Sequence, residues 1–339
     1  MSASHLDRPS MDPAIDEALR AFGIMEAAAV EPLAGGAANE HWRVEVPGQG
    51  AHVLRRYHRR QTQPSVAYEH RLLQFLHDRG WPVAPAIVAS GGSQLETSFG
   101  RWALFPFRSG EPPSTDQRAM QRKGSLLALL HVDLREWDEG QRPGFGRITD
   151  LDTPLRMDGF ADFHALTAWF ALTDPARAAR LEDTRDLVVA LLGQLGYDDL
   201  PDDVVYFECL GNNILFEGND VSGLLDFDLA HRDARVTDLG RSLVADAWMD
   251  GWAAHAFIAG YQAHAEPQLT PVEAKLVAPM MLAAEFWTTC IALAISDRHP
   301  SDWLTASIRE AIDERLPKLE AAQGELARVI KAAAGYPTI

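Results

Sequence analysis

The chain of 339 residues is short of cysteine, of positive charge and of long apolar runs, and each shortage closes off a class of function. Its two cysteines, Cys209 and Cys290, are too few and too far apart for a disulfide scaffold or a zinc site, and they fit a reducing cytoplasm. Lys and Arg number 31 against 48 Asp and Glu, a formal charge of −17. Nucleic acid needs a basic patch, so that balance argues against it as a partner. No stretch approaches the roughly eighteen uninterrupted apolar residues of a membrane span, so none is expected. The opening MSASHLDRPSMDP has no apolar core, and residues 1–11 read as a flexible tail, not a secretory signal. There is no Gly-x-Ser-x-Gly elbow and no His-Glu-x-x-His helix, which removes the serine-hydrolase and zinc-protease readings. Gly144-Phe145-Gly146 lacks the third glycine and the βαβ setting of a dinucleotide fingerprint. No period of 20–50 residues repeats.

What is present is ordinary in bulk: 47% hydrophobic and 23% charged residues, enough for one large or two smaller packed domains. The negative field favours a cationic or zwitterionic substrate, or serves solubility alone. The information lies in residues 203–241, DVVYFECLGNNILFEGNDVSGLLDFDLAHRDARVTDLGR. Val204 to Phe207, Ile214 to Phe216 and Val221 to Leu225 are short apolar runs separated by polar turns, so the spacing predicts strand, loop, strand, tight turn, strand over 203–230. Such a hairpin brings Asn213 and Asp226 together. An amide oxygen and a carboxylate suit a hard cation such as Mg²⁺, which keeps waters and shares itself with phosphates. Glu208 precedes Asn213 by five residues and Asp226 by eighteen, the spacing of the base, Asn and metal-binding Asp in kinase-type phosphoryl transfer.

On these residues the chain resembles the aminoglycoside phosphotransferase/choline kinase-like family, whose catalytic segment runs roughly His-Gly-Asp-x-x-x-x-Asn followed by Ile-Asp-Phe/Trp. Asn213, Asp226 and Asp238-Leu239-Gly240 match. Tyr206, Phe207 and Glu208 stand where the family has His, Gly and Asp. The resemblance implies an α+β, bilobal protein-kinase-like fold: a small β-rich N-lobe over 12–107 that binds nucleotide, and a larger, mostly helical C-lobe over 108–339. It further implies ATP as donor, with GTP open, and transfer to a hydroxyl of a small molecule. Glu208 would be the base, Asn213 and Asp226 the Mg²⁺ ligands, and Asp238 a structural acceptor for the catalytic loop. Three readings stay open at Glu208: a kinase whose loop is adapted to it, a weak or inactive relative that binds nucleotide or ligand as a module, or a different transfer reaction on the same scaffold. Val221 to Phe227 and Ala247-Trp248 look like homoserine-kinase-type members, while antibiotic-modifying members share much of the wording. The substrate and the oligomeric state are not legible.

The rest of the chain fills in that frame. Asp12-Pro13 opens a helix with Ile15, Leu19 and Phe22 inward, ended by Gly23. In the loop from Leu33 to Val44, Gly35, Gly36 and Asn39 resemble the family's phosphate loop; a plain hairpin turn is the alternative. Strand 53–57 carries Arg55 where kinase folds place a phosphate-binding Lys, and the helix at about 64–79 supplies Glu69 as its partner, or the two form a surface ion pair. Arg101 to Phe107 reads as a strand leading to a hinge, where the resemblance puts the adenine edge near Phe105 and Phe107. An edge strand is the alternative, since Pro106 lacks a donor. Met120, Leu127, Leu130 and Leu134 share a helix face, as do Leu181, Val188, Leu191 and Leu195. Helices are expected at about 238–265, 271–296 and 306–333. Trp248, Trp252, Phe286, Trp287 and Trp303, with Asp246, Asp250 and Glu285, would line a pocket for an amine-bearing substrate, or be core. His131-Val132-Asp133-Leu134 and His231-Arg232-Asp233 mimic kinase triplets but lack the Asn at the required spacing. The first reads as a helix cap or a core-edge position, the second as a loop with a salt bridge.

Overall fold

The computed structural model describes residues 11–33, 39–114, 116–297 and 301–337. The chain divides into two compact units, one running to His77 and adding Val83–Arg108, the other joining Asp78–Pro82 to Ser109 and everything after it.

In the first unit, α1 (Pro13–Ala21) starts where sequence chemistry demands. The Asp12 carboxylate accepts from the Ala14 N–H at 2.8 Å, with proline at the first turn. β1 (Ala29–Pro32), β2 (Glu40–Val46) and β3 (Gly50–Arg56) form an antiparallel meander. After α2 (Gln63–Asp78), β4 (Leu95–Thr97) and β5 (Gly100–Pro106) complete a five-stranded sheet in the order β1-β2-β3-β5-β4. The strand period of two sorts the sheet into faces. Val44, Leu54, Trp102 and Leu104 bury one face against Ile15 and Leu19 of α1. Arg55, paired in register with Ala103, points the other way, where Glu69 of α2 meets it.

The second unit begins with α3 (Gln117–Leu134), capped by Asp116, whose carboxylate accepts from the Ala119 N–H at 2.9 Å. α4 (Asp152–Met157), α5 (Phe163–Ala171) and α6 (Pro175–Gln194) follow. On α6 the buried positions include Leu181, Val188 and Leu192, so Leu192 takes the place expected for Leu191. Then come β6 (Asp203–Val205), β7 (Ile214–Glu217), β8 (Asp220–Leu224) and β9 (His231–Asp233). The continuous three-strand reading of this stretch is corrected here. β7 and β8 form the hairpin, but β6 pairs antiparallel with β9, Val204 opposite Arg232. His231-Arg232-Asp233 is therefore a strand and not a loop.

The remaining helices are α7 (Val236–Ser242), α8 (Gly251–His264), α9 (Pro271–Ser296), α10 (Asp302–Glu310) and α11 (Leu316–Ala333). The single helix expected at 238–265 is broken. A π turn at Leu243–Ala247 leads to Trp248 at φ 48°, and Asp250 restarts the helix by accepting from the Trp252 and Ala253 N–H groups. The last helix likewise begins earlier than expected, at a Ser301 cap, and passes a π turn at Ala311–Arg315. α3 and α8 cross closely because both present glycine. A Cβ on Gly124 would lie 2.0 Å from the Phe257 carbonyl oxygen, and one on Gly260 2.0 Å from that of Gln121. By length and composition α9 could cross a membrane, yet 89% of its apolar window is buried inside the protein, as befits a core helix.

Candidate active site

The segment after β6 is held by its backbone. The Asp238 carboxylate, fully buried on α7, accepts from the Tyr206 N–H at 2.7 Å and from the Phe207 N–H. His131 of α3 donates its Nε2–H to the same carboxylate at 2.8 Å, and its Nδ1 lies 2.7 Å from the Tyr261 hydroxyl. The expected role of Asp238 as an acceptor for loop amides is what the geometry shows. His131, read as a cap or core-edge position, is buried in the last turn of α3 and joins this network.

Phe207 turns the chain at φ 65°, a left-handed conformation that favours glycine, the residue of the resembled motif. Its ring is buried, edge-on to Trp287 with centroids 5.1 Å apart. Glu208 follows. The Asn213 amide nitrogen donates to the Glu208 carbonyl at 3.1 Å and lies 3.4 Å from its carboxylate Oε2. Arg241, three residues beyond Asp238 on α7, reaches Glu208 Oε1 at 3.3 Å. Burial pushes the Glu208 carboxyl above the ordinary carboxylate range, and the Arg241 guanidinium only partly opposes this.

Asp226 stands just past β8, also left-handed at φ 61°. Its neighbour Leu225 donates its N–H to the Asn213 carbonyl at 2.9 Å, and the Tyr206 hydroxyl donates to the Leu225 carbonyl. Tyr206 stacks on Phe227 at 4.2 Å, while buried Arg142 donates to the carbonyls of Phe227 at 2.9 Å and Ala230 at 3.2 Å. Glu208 and Asn213 are thereby joined by hydrogen bonds, and Asp226 follows Leu225, whose backbone N–H is tied to the Asn213 carbonyl. Because the Asn213 NH₂ faces Glu208, its Oδ1 is the atom left for a ligand. Among the described residues no three His, Cys, Asp or Glu side chains gather as a metal site. The hard oxygens of Asn213 and Asp226 fit a cation that takes its other ligands from water and phosphate.

In the first unit, Arg55 meets Glu69 at 2.8 Å as a buried pair, with side-chain exposures of 11% and 1%. The surface-pair alternative is thereby excluded. His41 Nε2 accepts from Arg55 Nε at 2.9 Å, and the guanidinium lies 5.2 Å from the Phe105 ring centroid. Phe107 donates its N–H to the Ala51 carbonyl at 3.1 Å, and its ring carries the Arg43 guanidinium at 4.9 Å. The Asn39 Oδ1 accepts from the His58 N–H at 2.9 Å. Gly35 and Gly36 lie outside the described residues.

The aromatic and acidic residues read as a pocket wall or as core fall into several settings. Asp246 is paired with buried Lys123, Asp250 caps α8, and Glu285 is buried with Arg315 at 2.9 Å. Phe286 and Trp287 are core, whereas Trp252 and Trp303 are exposed. Arg142 and Arg241 were not singled out by the sequence. The one available signal was the i, i+3 placement of Arg241 after Asp238.

A family model described as the phosphotransferase enzyme family matches residues 29–275. The chain belongs to that family. Among curated relatives, the homoserine kinase of Gluconacetobacter diazotrophicus is 28% identical over 308 residues, covering 85% of this chain and 92% of that protein. The homoserine kinase of Hyphomonas neptunium is 25% identical over 341 residues, covering 96% and 97%. Among solved structures, amicoumacin kinase hAmiN, in complex with AMP-PNP, Ca²⁺ and Ami, aligns with a TM-score of 0.69 at 14% identity over 90% of this chain and 92% of that one. Choline kinase LicA from Streptococcus pneumoniae aligns with a TM-score of 0.66 at 12% identity over 92% and 98%. The fold is thus kinase-like α+β, with a small antiparallel sheet and a mostly helical remainder.

Proposed function

We propose that this member of the phosphotransferase family moves the γ-phosphate of ATP to a hydroxyl of a small molecule. The observation that carries the reading is the Glu208–Asn213 contact, with Asp226 next in the chain to Leu225, whose N–H is bonded to the Asn213 carbonyl. Homoserine kinases among the relatives and an amicoumacin kinase among the neighbours support a hydroxyl acceptor of low mass.

Phosphoryl transfer asks a protein mainly for position and charge neutralisation. Arg55, steadied by Glu69, is the group for the donor's α- and β-phosphates, joined by the loop of Gly35, Gly36 and Asn39 and by the strand end at Phe105 and Phe107. Asn213 and Asp226 are the groups for Mg²⁺, which when bound offsets the charge of the phosphates. Glu208 orients the acceptor hydroxyl and takes its proton, and the carboxylate must be ionised to do so. A base of this kind contributes roughly 10²–10⁴-fold.

The test is purified protein with ATP and Mg²⁺ against homoserine, amino alcohols, aminoglycosides, macrolides and nucleosides, read by the mass of the phosphorylated acceptor. One acceptor gaining a phosphate supports the reading. Nucleotide binding without a phosphorylated product on any of them supports instead a binding module.

A further inference from the structure

We infer that Arg241 is a positioning residue which adapts this centre to a glutamate, so that Phe207, Glu208 and Arg241 work as a matched set. The inference rests on the phosphotransfer reading and concerns how its base is held.

A glutamate carries its carboxylate one methylene farther from the backbone than an aspartate, with one more rotatable bond to restrain. Misplacement of a reacting group by about 1 Å can lower a rate by on the order of 10²-fold. Here each carboxylate oxygen has its own restraint: Oε1 lies 3.3 Å from Arg241, and Oε2 lies 3.4 Å from the Asn213 amide. Both separations exceed the roughly 2.7–2.9 Å of a tight charge-assisted bond, so the contacts steer the group without saturating it. Lone pairs remain for an acceptor hydroxyl.

The support for Arg241 is built from the neighbouring change. Its guanidinium lies 5.8 Å from the Phe207 ring centroid, and that ring is braced by Trp287. With glycine at 207 there would be no ring for Arg241 to rest against. α7 also supplies Asp238, which takes the amides of residues 206 and 207. One short helix therefore fixes both the backbone before Glu208 and the end of its side chain. Among the described residues the buried Arg241 Nε has no hydrogen-bond partner. Its hydrogen bond goes to Glu208, while its charge also partly offsets the burial that raises the Glu285 carboxyl.

The consequence is specific. Glu208→Asp, which installs the carboxylate of the resembled motif, lowers kcat, because the shorter side chain falls back from both restraints. The experiment is a double-mutant cycle with Glu208→Asp, Arg241→Gln and the pair, measuring kcat, acceptor KM, ATP affinity and melting temperature, with Arg241→Lys as the charge-keeping control. The expected result is a fall in kcat of about 10–10²-fold for Arg241→Gln at unchanged ATP affinity, and partial recovery in Arg241→Lys. In the Glu208→Asp background, Arg241→Gln should add less than about threefold, since the interaction is already lost. Equal fold-changes in both backgrounds, wild-type kcat in Arg241→Gln, or a gain in Glu208→Asp overturns the inference alone. Should Arg241→Gln not fold, the same cycle is read with Arg241→Lys. Wild-type protein without turnover on any acceptor overturns the phosphotransfer reading and this inference together.

Discussion

At the scale of single residues, Phe207 sets two effects against each other. A non-glycine residue in the left-handed region costs about 1–2 kcal/mol, whereas deleting a buried phenylalanine ring costs about 3–5 kcal/mol. Its ring is 1% exposed, so burial wins. Phe207→Gly should destabilise the protein by about 2 kcal/mol in urea unfolding despite relieving the backbone; a stabilised variant would show that the ring contributes little. Asp238 is the second sensitive position, with three buried donors on one carboxylate. Asp238→Ala strands those donors and should lower stability by about 3 kcal/mol or more while abolishing turnover. An unchanged unfolding midpoint would contradict this. Asn213 and Asp226 were nominated from spacing and residue type. Arg241 was not, because a sequence does not reveal that a residue three places along a helix turns back toward a loop more than thirty residues earlier.

At the scale of elements, the cap at Asp12 was legible in the sequence, whereas those at Asp116, Thr270 and Ser301 emerged only in the fold. Asp12, Asp116, Thr270 and Ser301 each cap a helix with a side-chain acceptor. Thr270 and Glu273 form a full capping box, and Glu273 also takes Arg235 in two bonds of 2.6 and 2.9 Å. Burial alone would raise the Glu273 carboxyl, but the Arg235 bonds and the Thr270 N–H outweigh it and hold the group below its ordinary 4.5. A depressed carboxyl contributes stability above the unfolded-state value and loses it as pH falls through the folded one. Glu273→Gln should therefore cost about 3–5 kcal/mol at neutral pH, with the difference from wild type shrinking as pH drops below 4.5. A gap that stays constant across that range would contradict the assignment. What propensity hid was the break at 243–250, where a π turn and the Asp250 cap interrupt a continuous apolar pattern. Strand pairing was hidden too: β6 chooses β9 over its nearer neighbour, a long-range partnership that local periodicity does not encode.

At the scale of the whole molecule, the α+β class followed from the family resemblance, and the helical second part from its apolar periods. The close α3–α8 crossing did not, since isolated glycines in a helix carry no statement of what approaches them. Gly260→Ala would force a methyl against the Gln121 carbonyl, and should lower the unfolding free energy by about 1–3 kcal/mol; a neutral effect would show that the helices can part without cost. Nucleotide recognition has its own global readout. Mg²⁺·ATP at about a hundredfold over its dissociation constant should stabilise the protein by about 2.7 kcal/mol, a shift that Arg55→Ala should diminish. The account as a whole depends on Glu208 serving the transfer step and not the binding of nucleotide. The direct measurement is kcat and ATP affinity side by side in Glu208→Gln, once an acceptor is in hand. The account predicts a fall in kcat of at least about 10²-fold with ATP affinity within about threefold of wild type, whereas a variant that turns over at the wild-type rate would contradict it.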